Sequence, residues 1–122
     1  MKLHASTPAG ANTITAYGDD YVAVNGARRA SNVIVTAGEV RDWSAGDFAH
    51  LTEADFAELA SLGVEIVLLG TGARQRFPHP RLTAALGEAR IGLEVMDSKA
   101  ACRTYNILVA EERRVALALL FE

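Results

Sequence analysis

The sequence predicts a single α/β domain, a three-layer sandwich with a central mixed β-sheet and an N-terminal β-hairpin. Residues 64–69 and 114–121 are apolar at nearly every position, which is typical of strands buried on both faces of a sheet. Between these runs, apolar residues recur at helical spacing, and strands that alternate with helices form a covered sheet. The length of 122 residues suits one core, with residues 1–12 expected to be loosely ordered.

The first part of the chain is predicted to form short strands. Residues 13–17 and 21–24 are β-prone runs on either side of a Gly-Asp-Asp sequence, which indicates a hairpin. An Asn-Gly pair then marks another turn. The third strand is expected at residues 31–36, where the sequence reads SNVIVT.

Residues 39–50 show little periodicity, so no element is predicted there. Trp43 stands alone in this stretch, and its large apolar area favours packing of the loop on the core over an exposed role at a partner or pocket edge. Thr52 is expected to begin the first helix, because Asp55 follows three residues later in a variant of the capping box. Gly63 is expected to end that helix.

The second half is predicted to contain two more helices around a parallel strand. Pro80 suits the first turn of a helix that Gly92 closes, and residues 93–96 form a strand parallel to the preceding one because a helical crossover joins them. Apolar residues follow the helical spacing at Leu82, Ala85, Leu86 and Ala89.

The last helix is expected at residues 99–110, with Ser98 as its N-cap. Ile107 falls on the side opposite the apolar face, so a loop, a hairpin or a partner is expected to cover it. The apolar face itself holds Ala101, Cys102, Tyr105, Leu108 and Val109.

Composition excludes several functional classes. A net charge of −3 is unlike that of a nucleic-acid-binding protein, and a single cysteine excludes an internal disulfide or a multi-cysteine metal site. The three histidines are far apart in sequence, so no metal site is predicted. No apolar run is long enough to insert into a membrane. The first twelve residues do not read as a signal or transit peptide, so a cytoplasmic location is expected.

Gly70-Thr71-Gly72 follows a strand, as a phosphate-binding loop would, but no third glycine and no Gly-Lys-Ser/Thr sequence follows. Both nucleotide-binding fingerprints therefore fail, and no cofactor is predicted. The favoured interpretation is structural, with glycines that permit a tight strand exit at positive φ.

A small-anion pocket is a second hypothesis for this corner. Carboxyl ends of parallel strands meet at one edge of a sheet, and helix N-termini attract anions. Solvated surface charge is the favoured alternative for the arginines. The candidate pocket comprises Gly70, Thr71, Gly72, Arg74, Arg76, Phe77, Pro78, Asp97, Ser98, Arg103 and Asn106.

Three polar residues of the last helix have structural and chemical interpretations. Cys102 lies near a helix start but on the apolar face, which favours a buried thiol over a nucleophile. Asp97 is favoured as a helix-start carboxylate over a general base. The Asn106 amide is expected to bond loop backbone, with the Gly-Thr-Gly corner as the suggested partner. No catalytic residue is predicted.

The pattern LLGTG, FP and GLEVMDS-x-AACRTYNILVAE resembles a domain-of-unknown-function family whose mitochondrial branch includes complex I assembly factor 3. The resemblance implies a three-layer α/β fold with a mixed sheet and no established catalytic activity. Ser98 stands where many members have Thr, and mitochondrial members lack the Arg and Tyr of CRTYN. The chain looks like a bacterial member. Its motif positions are Gly70, Gly72, Phe77, Pro78, Asp97, Ala101, Cys102, Arg103, Tyr105 and Asn106.

Two functions follow as hypotheses. The first is a non-enzymatic interaction or assembly factor with a protein partner, acting on respiratory or other membrane complexes. The second is a small-molecule binding protein or enzyme that takes a small anion in an arginine-lined crevice.

Overall fold

A computed structural model describes residues 9–122. Most of the stretch expected to be loosely ordered, residues 1–12, lies outside this range. Within it, the Asn12 backbone N–H donates to the carbonyl of Ala37, and its side-chain amide donates to the carbonyl of Thr36. No helix across residues 9–122 is long and apolar enough to cross a membrane.

The predicted α/β sandwich with a mixed sheet is confirmed, and the N-terminal hairpin extends into a separate three-stranded sheet. This sheet is antiparallel, in the order β1 (Ile14–Tyr17), β2 (Val22–Val24) and β3 (Ala27–Arg29). The sequence analysis missed β3, which follows the predicted Asn-Gly turn. Its Ala-Arg-Arg sequence carries no apolar alternation that could reveal a strand.

The larger sheet has five strands. Its elements in chain order are β4 (Val33–Thr36), β5 (Glu39–Asp42), β6 (Ile66–Gly70), β7 (Gly92–Met96) and β8 (Val115–Leu119). Their order across the sheet is β5-β4-β8-β6-β7. β6 pairs in parallel with β7 and β8, whereas β4 pairs antiparallel with β5 and β8, so the sheet is mixed as predicted. The sequence analysis also missed β5, where three of four residues are charged.

Three helices accompany these strands: α1 (Glu53–Ala60), α2 (Ala84–Glu88) and α3 (Ser98–Ala110). The capping box of α1 is confirmed, since Thr52 and Asp55 exchange side-chain-to-backbone hydrogen bonds of 2.8 and 3.2 Å. Gly63 follows this helix at φ +73°, as expected for a helix end.

The predicted helix after Pro80 is shorter and less regular than its apolar spacing suggests. Residues Pro80–Thr83 form a 3-10 turn, and only α2 is α-helical. Gly92 does not close this helix, because it is the first residue of β7. Arg90 takes the left-handed conformation instead, at φ 57°, and the next N–H, that of Ile91, donates to the carbonyl of Leu86.

The five-stranded sheet separates two apolar cores. On one face, α3 and the small sheet pack through residues such as Val22, Tyr105 and Leu117. On the other face, α1 and α2 pack on Trp43 and neighbouring strands. Trp43 is only 3% exposed, which confirms that it anchors its loop on the core. The strands alternate between these cores, so the central sheet is buried on both sides.

Candidate functional site

The corner after β6 is held by Thr71, a polar side chain that is fully inaccessible to solvent. Its hydroxyl donates to the carbonyl of Arg74 over 2.7 Å and accepts the N–H of Arg76 over 3.0 Å. Its own N–H donates to the carbonyl of Met96 over 3.0 Å. Thr71 therefore closes the loop on itself and ties it to β7, and its hydrogen-bonding groups point inward.

The two glycines of this corner have different physical roles. Gly72 has φ +86°, as expected for a tight strand exit, but Gly70 does not lie in the left-handed region. The prediction of positive φ is therefore wrong for Gly70. A Cβ atom at Gly70 would lie 2.6 Å from Leu119 Cδ2 and 3.1 Å from Ser98 Cα. Gly70 is required because α3 begins almost in contact with the β6 backbone.

The N-cap of α3 is Asp97, and the prediction of Ser98 is wrong by one residue. The Asp97 carboxylate accepts the N–H of Ala100 over 2.9 Å, which is a structural role at the helix start. The Ser98 hydroxyl instead accepts the Gly72 N–H over 2.8 Å and donates to the carbonyl of Leu120 over 3.4 Å. Ser98 thus joins the corner, the helix and the end of β8.

The arginines of the candidate pocket are directed to other partners. Arg76 Nη2 donates to the carbonyl of Thr71 over 2.8 Å and lies 2.9 Å from the Glu122 carboxylate. Arg103 Nη1 donates to the Tyr17 hydroxyl over 3.0 Å, and that contact raises the pKa of Arg103. Arg74 is exposed. None of these three guanidiniums belongs to the residues that line the cleft at the corner.

The cleft itself lies between the β1–β2 turn, the start of α3 and the end of β8, with a volume of about 170 Å³. The Lys99 ammonium lies 2.8 Å from the Asp19 carboxylate, so an ion pair joins the β1–β2 turn to α3. This ion pair lowers the pKa of Asp19 and raises that of Lys99. Of the predicted pocket residues, the lining includes only Gly72, Asp97 and Ser98.

Other lining residues were not predicted, because they come from distant parts of the chain. Tyr17, Asp19 and Tyr21 belong to the N-terminal hairpin, and Phe121 and Glu122 follow β8. The sequence predicted the hairpin, but no periodicity or motif indicates that its turn folds against the start of α3.

Cys102 lies at this cleft but is 2% exposed, which confirms its prediction as a buried thiol. Burial raises its pKa from 9.0 to about 12. The thiol is therefore protonated at neutral pH, and the thiolate that nucleophilic catalysis requires is disfavoured.

Asn106 bonds a strand, and the suggested Gly-Thr-Gly partner is wrong. Its side-chain carbonyl accepts the N–H of Ile14 over 2.9 Å, and its amide donates to the carbonyl of the same residue over 2.8 Å. This side chain pairs with β1 as a neighbouring strand would. The hydroxyl of the preceding residue, the buried Tyr105, donates to the carbonyl of Asn12. Both contacts fasten the small sheet to α3.

The remaining predicted residues, Phe77 and Pro78, lie on the loop after the corner. Phe77 is 70% exposed and Ile107 of α3 is 58% exposed, and they are the large apolar side chains most accessible in the described chain. The loop or hairpin suggested as a cover for Ile107 does not bury it. The site residues thus divide into an inward, hydrogen-bonded corner and outward apolar side chains.

Residues 14–120 match the family described as "Protein of unknown function (DUF498/DUF598)". The chain belongs to this family. The match includes the corner, the three strands β6, β7 and β8, and α3, so the resemblance carried by these motifs is confirmed.

Known relatives extend this result. The chain is 32% identical over 109 residues to the NADH dehydrogenase (ubiquinone) 1 alpha subcomplex assembly factor 3 of Bos taurus, a match that covers 88% of this chain and 59% of the relative. The chain therefore spans about three fifths of the length of this relative. The human protein of the same name is 31% identical, with the same coverage of both chains.

A solved structure supports the fold. A crystal structure from Bordetella parapertussis superimposes with a TM-score of 0.87 at 42% identity, covering 94% of this chain and 100% of the other. This likeness bears on the architecture rather than on the activity.

Proposed function

We propose that this chain is a non-enzymatic interaction factor that aids the assembly of a membrane complex, with respiratory complex I as the first candidate. The observation that supports the proposal is the similarity to mammalian proteins named assembly factors of NADH dehydrogenase, which extends over 88% of this chain. The partner is a protein, and the location is the compartment in which the complex is assembled.

The surface of the fold offers features suited to such a partner. Phe77 projects from the loop after the corner and is 70% exposed. Aromatic side chains are enriched among residues that dominate the binding energy of interfaces. Ile107 offers a second apolar side chain on the rigid α3 helix. Both are accessible without any rearrangement of the core.

The proposal is tested by deletion of the gene in the source organism. The expected result is a several-fold decrease in assembled NADH dehydrogenase in the membrane, measured by native gel electrophoresis and NADH oxidation, at unchanged levels of its subunit transcripts. Expression of the wild-type chain should restore assembly. Unchanged assembly in the deletion strain would contradict the complex I assignment.

A second experiment tests the surface. The tagged wild-type chain and the variant Phe77→Ser/Ile107→Ser are used as baits, and the bound proteins are quantified. Because both side chains are exposed, the variant should keep its melting temperature but recover less of the partner. Equal recovery by both baits would show that the partner binds elsewhere.

The alternative, a small-molecule binding protein, is supported by the cleft beside the corner. Its lining includes the acidic residues Asp19, Asp97 and Glu122 and one basic residue, Lys99. This charge balance favours a cationic or neutral ligand over the anion expected from the sequence. Isothermal titration with a panel of small amines, sulfate and phosphate tests the alternative, and heat from sulfate alone would restore the anion hypothesis.

A further inference from the structure

The exposed strand edges of the two sheets differ in their charge. β3 is Ala-Arg-Arg, and β5 is Glu-Val-Arg-Asp with its charged residues in ion pairs. Charged side chains protect edge strands against pairing with other chains. β7 is the other edge of the large sheet, and its sequence, Gly-Leu-Glu-Val-Met, has one charged residue and no proline or lysine. By these criteria β7 is the least protected of β3, β5 and β7. The fourth edge strand, β1, is already bonded by the Asn106 side chain.

The hydrogen bonds of β7 show which of its backbone groups face away from the sheet. The N–H of Gly92 donates to the carbonyl of Glu65, and the carbonyl of Met96 accepts the N–H of Thr71, each over 3.0 Å. Backbone groups alternate in direction along a strand. The N–H and C=O groups of Leu93 and Val95 therefore face outward, away from β6.

A side chain already imitates a neighbouring strand at this edge. Gln75 Nε2 donates to the carbonyl of Val95 over 2.8 Å, where the N–H of a sixth strand would otherwise donate. No other part of the described chain reaches the N–H of Leu93 or Val95. Phe77, two residues after Gln75, is held near the same edge by the chain and is exposed.

We propose that the outer edge of β7 binds an extended segment of the protein partner as a sixth, antiparallel strand, with a lysine or arginine opposite Glu94. This inference rests on the proposed function, which supplies a protein partner. The backbone of the segment exchanges N–H and C=O hydrogen bonds with Leu93, and one of its carbonyls accepts the N–H of Val95. Such strand addition to a free sheet edge is a common mode of peptide recognition.

Charge identifies the residue opposite Glu94. Glu94 is exposed and forms no ion pair within residues 9–122. It lies between the outward-facing Leu93 and Val95, so its partner in an antiparallel ladder is a non-hydrogen-bonded pair, where side chains approach most closely. Opposite charges stabilise such a pair and like charges destabilise it. A second copy centred on Glu94 would oppose two carboxylates, which favours a different protein.

The test uses two acetylated peptides, Thr-Val-Lys-Val-Thr and Thr-Val-Glu-Val-Thr, titrated into isotopically labelled protein. Amide chemical shifts of Leu93 and Val95 report binding. The wild type should prefer the lysine peptide about fivefold, the ratio that a cross-strand charge pair of about 1 kcal/mol gives. In Glu94→Lys the preference should invert. In the control Glu53→Lys, which makes the same charge change at an exposed position of α1, the preference should not change.

Several outcomes would overturn the inference. These are shifts confined to other residues, no shift at millimolar peptide, and an unchanged preference in Glu94→Lys. Concentration-dependent shifts of Leu93 and Val95 without peptide would show self-pairing and exclude a foreign strand as the occupant.

The same variants separate this inference from the proposed function. If the wild-type and Glu94→Lys baits recover the partner equally, the proposed function stands and the β7 inference fails. If only Glu94→Lys loses the partner while Glu53→Lys keeps it, both are supported. If no bait recovers a partner, the proposed function fails, and the peptide titration still decides whether β7 binds a strand.

Discussion

The corner after β6 and the outer edge of β7 lie side by side but use their polar groups in opposite ways. At the corner, the N–H and hydroxyl of Thr71 are bound to neighbouring backbone, and the Ser98 hydroxyl bonds Gly72. At the edge, the N–H groups of Leu93 and Val95 face outward, and the side chain of Glu94 is exposed. At the corner these groups are hydrogen-bonded within the fold, whereas at the edge some backbone groups remain available to a partner.

This difference shows that a conspicuous motif need not be a binding site. Gly-Thr-Gly after a strand resembles a phosphate loop, yet each of its features is explained by packing between β6, β7 and α3. The β7 sequence contains no recognised motif, yet its edge has free donors. Substitutions in the corner should therefore change stability, and substitutions at the edge should change binding.

The largest expected effect is that of Gly70→Val at the corner. A side chain there must displace Ser98, whose Cα would lie 3.1 Å from the new Cβ, and disturb the packing of Leu119. We expect a loss of about 3 kcal/mol in the free energy of unfolding, because overpacked cores relax incompletely. Urea denaturation measures it.

Gly87→Ala provides the control for this substitution, since nothing lies within 4 Å of the added Cβ. Alanine in a helix should keep or raise stability. A Gly70→Val protein as stable as wild type would contradict the structural role of the corner, because Gly70 would then not be required for packing.

Asn106→Ala should have the next largest effect. It removes the acceptor for the N–H of Ile14 and the donor to its carbonyl, leaving both groups of β1 without this partner. We expect a loss of about 2 kcal/mol. Lys99→Ala on the same helix removes only an exposed ion pair with Asp19 and should cost far less than Asn106→Ala. Equal losses in the two variants would contradict the role of Asn106.

A smaller effect is expected from alkaline pH. Burial raises the pKa of Cys102 from 9.0 to about 12, so the folded state holds this proton more tightly than the unfolded state. The resulting stability is fully present below pH 9 and is lost as pH rises towards 12. From neutral pH to pH 9.5 the loss is roughly 1 kcal/mol.

Cys102→Ala separates this titration from that of Tyr105, whose pKa burial also raises. Urea unfolding near pH 7.5 and at pH 9.5 should show roughly 1 kcal/mol less loss in the variant than in wild type. Identical losses would mean that the thiol is accessible to water and that the interior beside the cleft is open.

Much of the fold was predictable because its signals are local. The apolar runs of β6 and β8, the capping box at Thr52 and the apolar face of α3 each lie within a short stretch. The missed strands, β3 and β5, are charged edge strands, which are defined by pairing with β2 and β4 rather than by apolar alternation. Helix α2 was overestimated because its apolar spacing continues through a 3-10 turn.

The candidate site was less predictable because it depends on contacts between distant residues. Arg103 reaches Tyr17, 86 positions earlier in the chain, and Asn106 reaches Ile14, 92 positions earlier. From residue type alone, convergence of the arginines on the helix start was a hypothesis beside the favoured interpretation of solvated surface charge. The structure directs Arg76 to Glu122 and Arg103 to the hairpin, which no sequence spacing reveals.

The smallest expected effect concerns the anion hypothesis and the variant Arg103→Ala. Arg103 donates to the hydroxyl of the half-buried Tyr17 and does not line the cleft, so its loss should change the free energy of unfolding only slightly. Sulfate stabilises proteins generally through exclusion from their surface, and specific binding adds stability that grows with the logarithm of the ratio of free ligand to its dissociation constant. Both proteins should therefore show the same rise in melting temperature with sulfate, relative to chloride at matched ionic strength.

A sulfate-specific rise in melting temperature that shrinks in Arg103→Ala would contradict a purely structural role for the corner. It would place an anion at the start of α3 and give the corner a binding role beside its structural one. The size of this effect follows from the linkage between binding and folding. A ligand at 100 times its dissociation constant adds about 2.7 kcal/mol to the free energy of unfolding. A ligand that binds with a millimolar dissociation constant should raise the melting temperature by only a few degrees. Matched titration curves would assign Arg103 the structural role of joining α3 to the hairpin. The β7 edge would then be the binding surface to test.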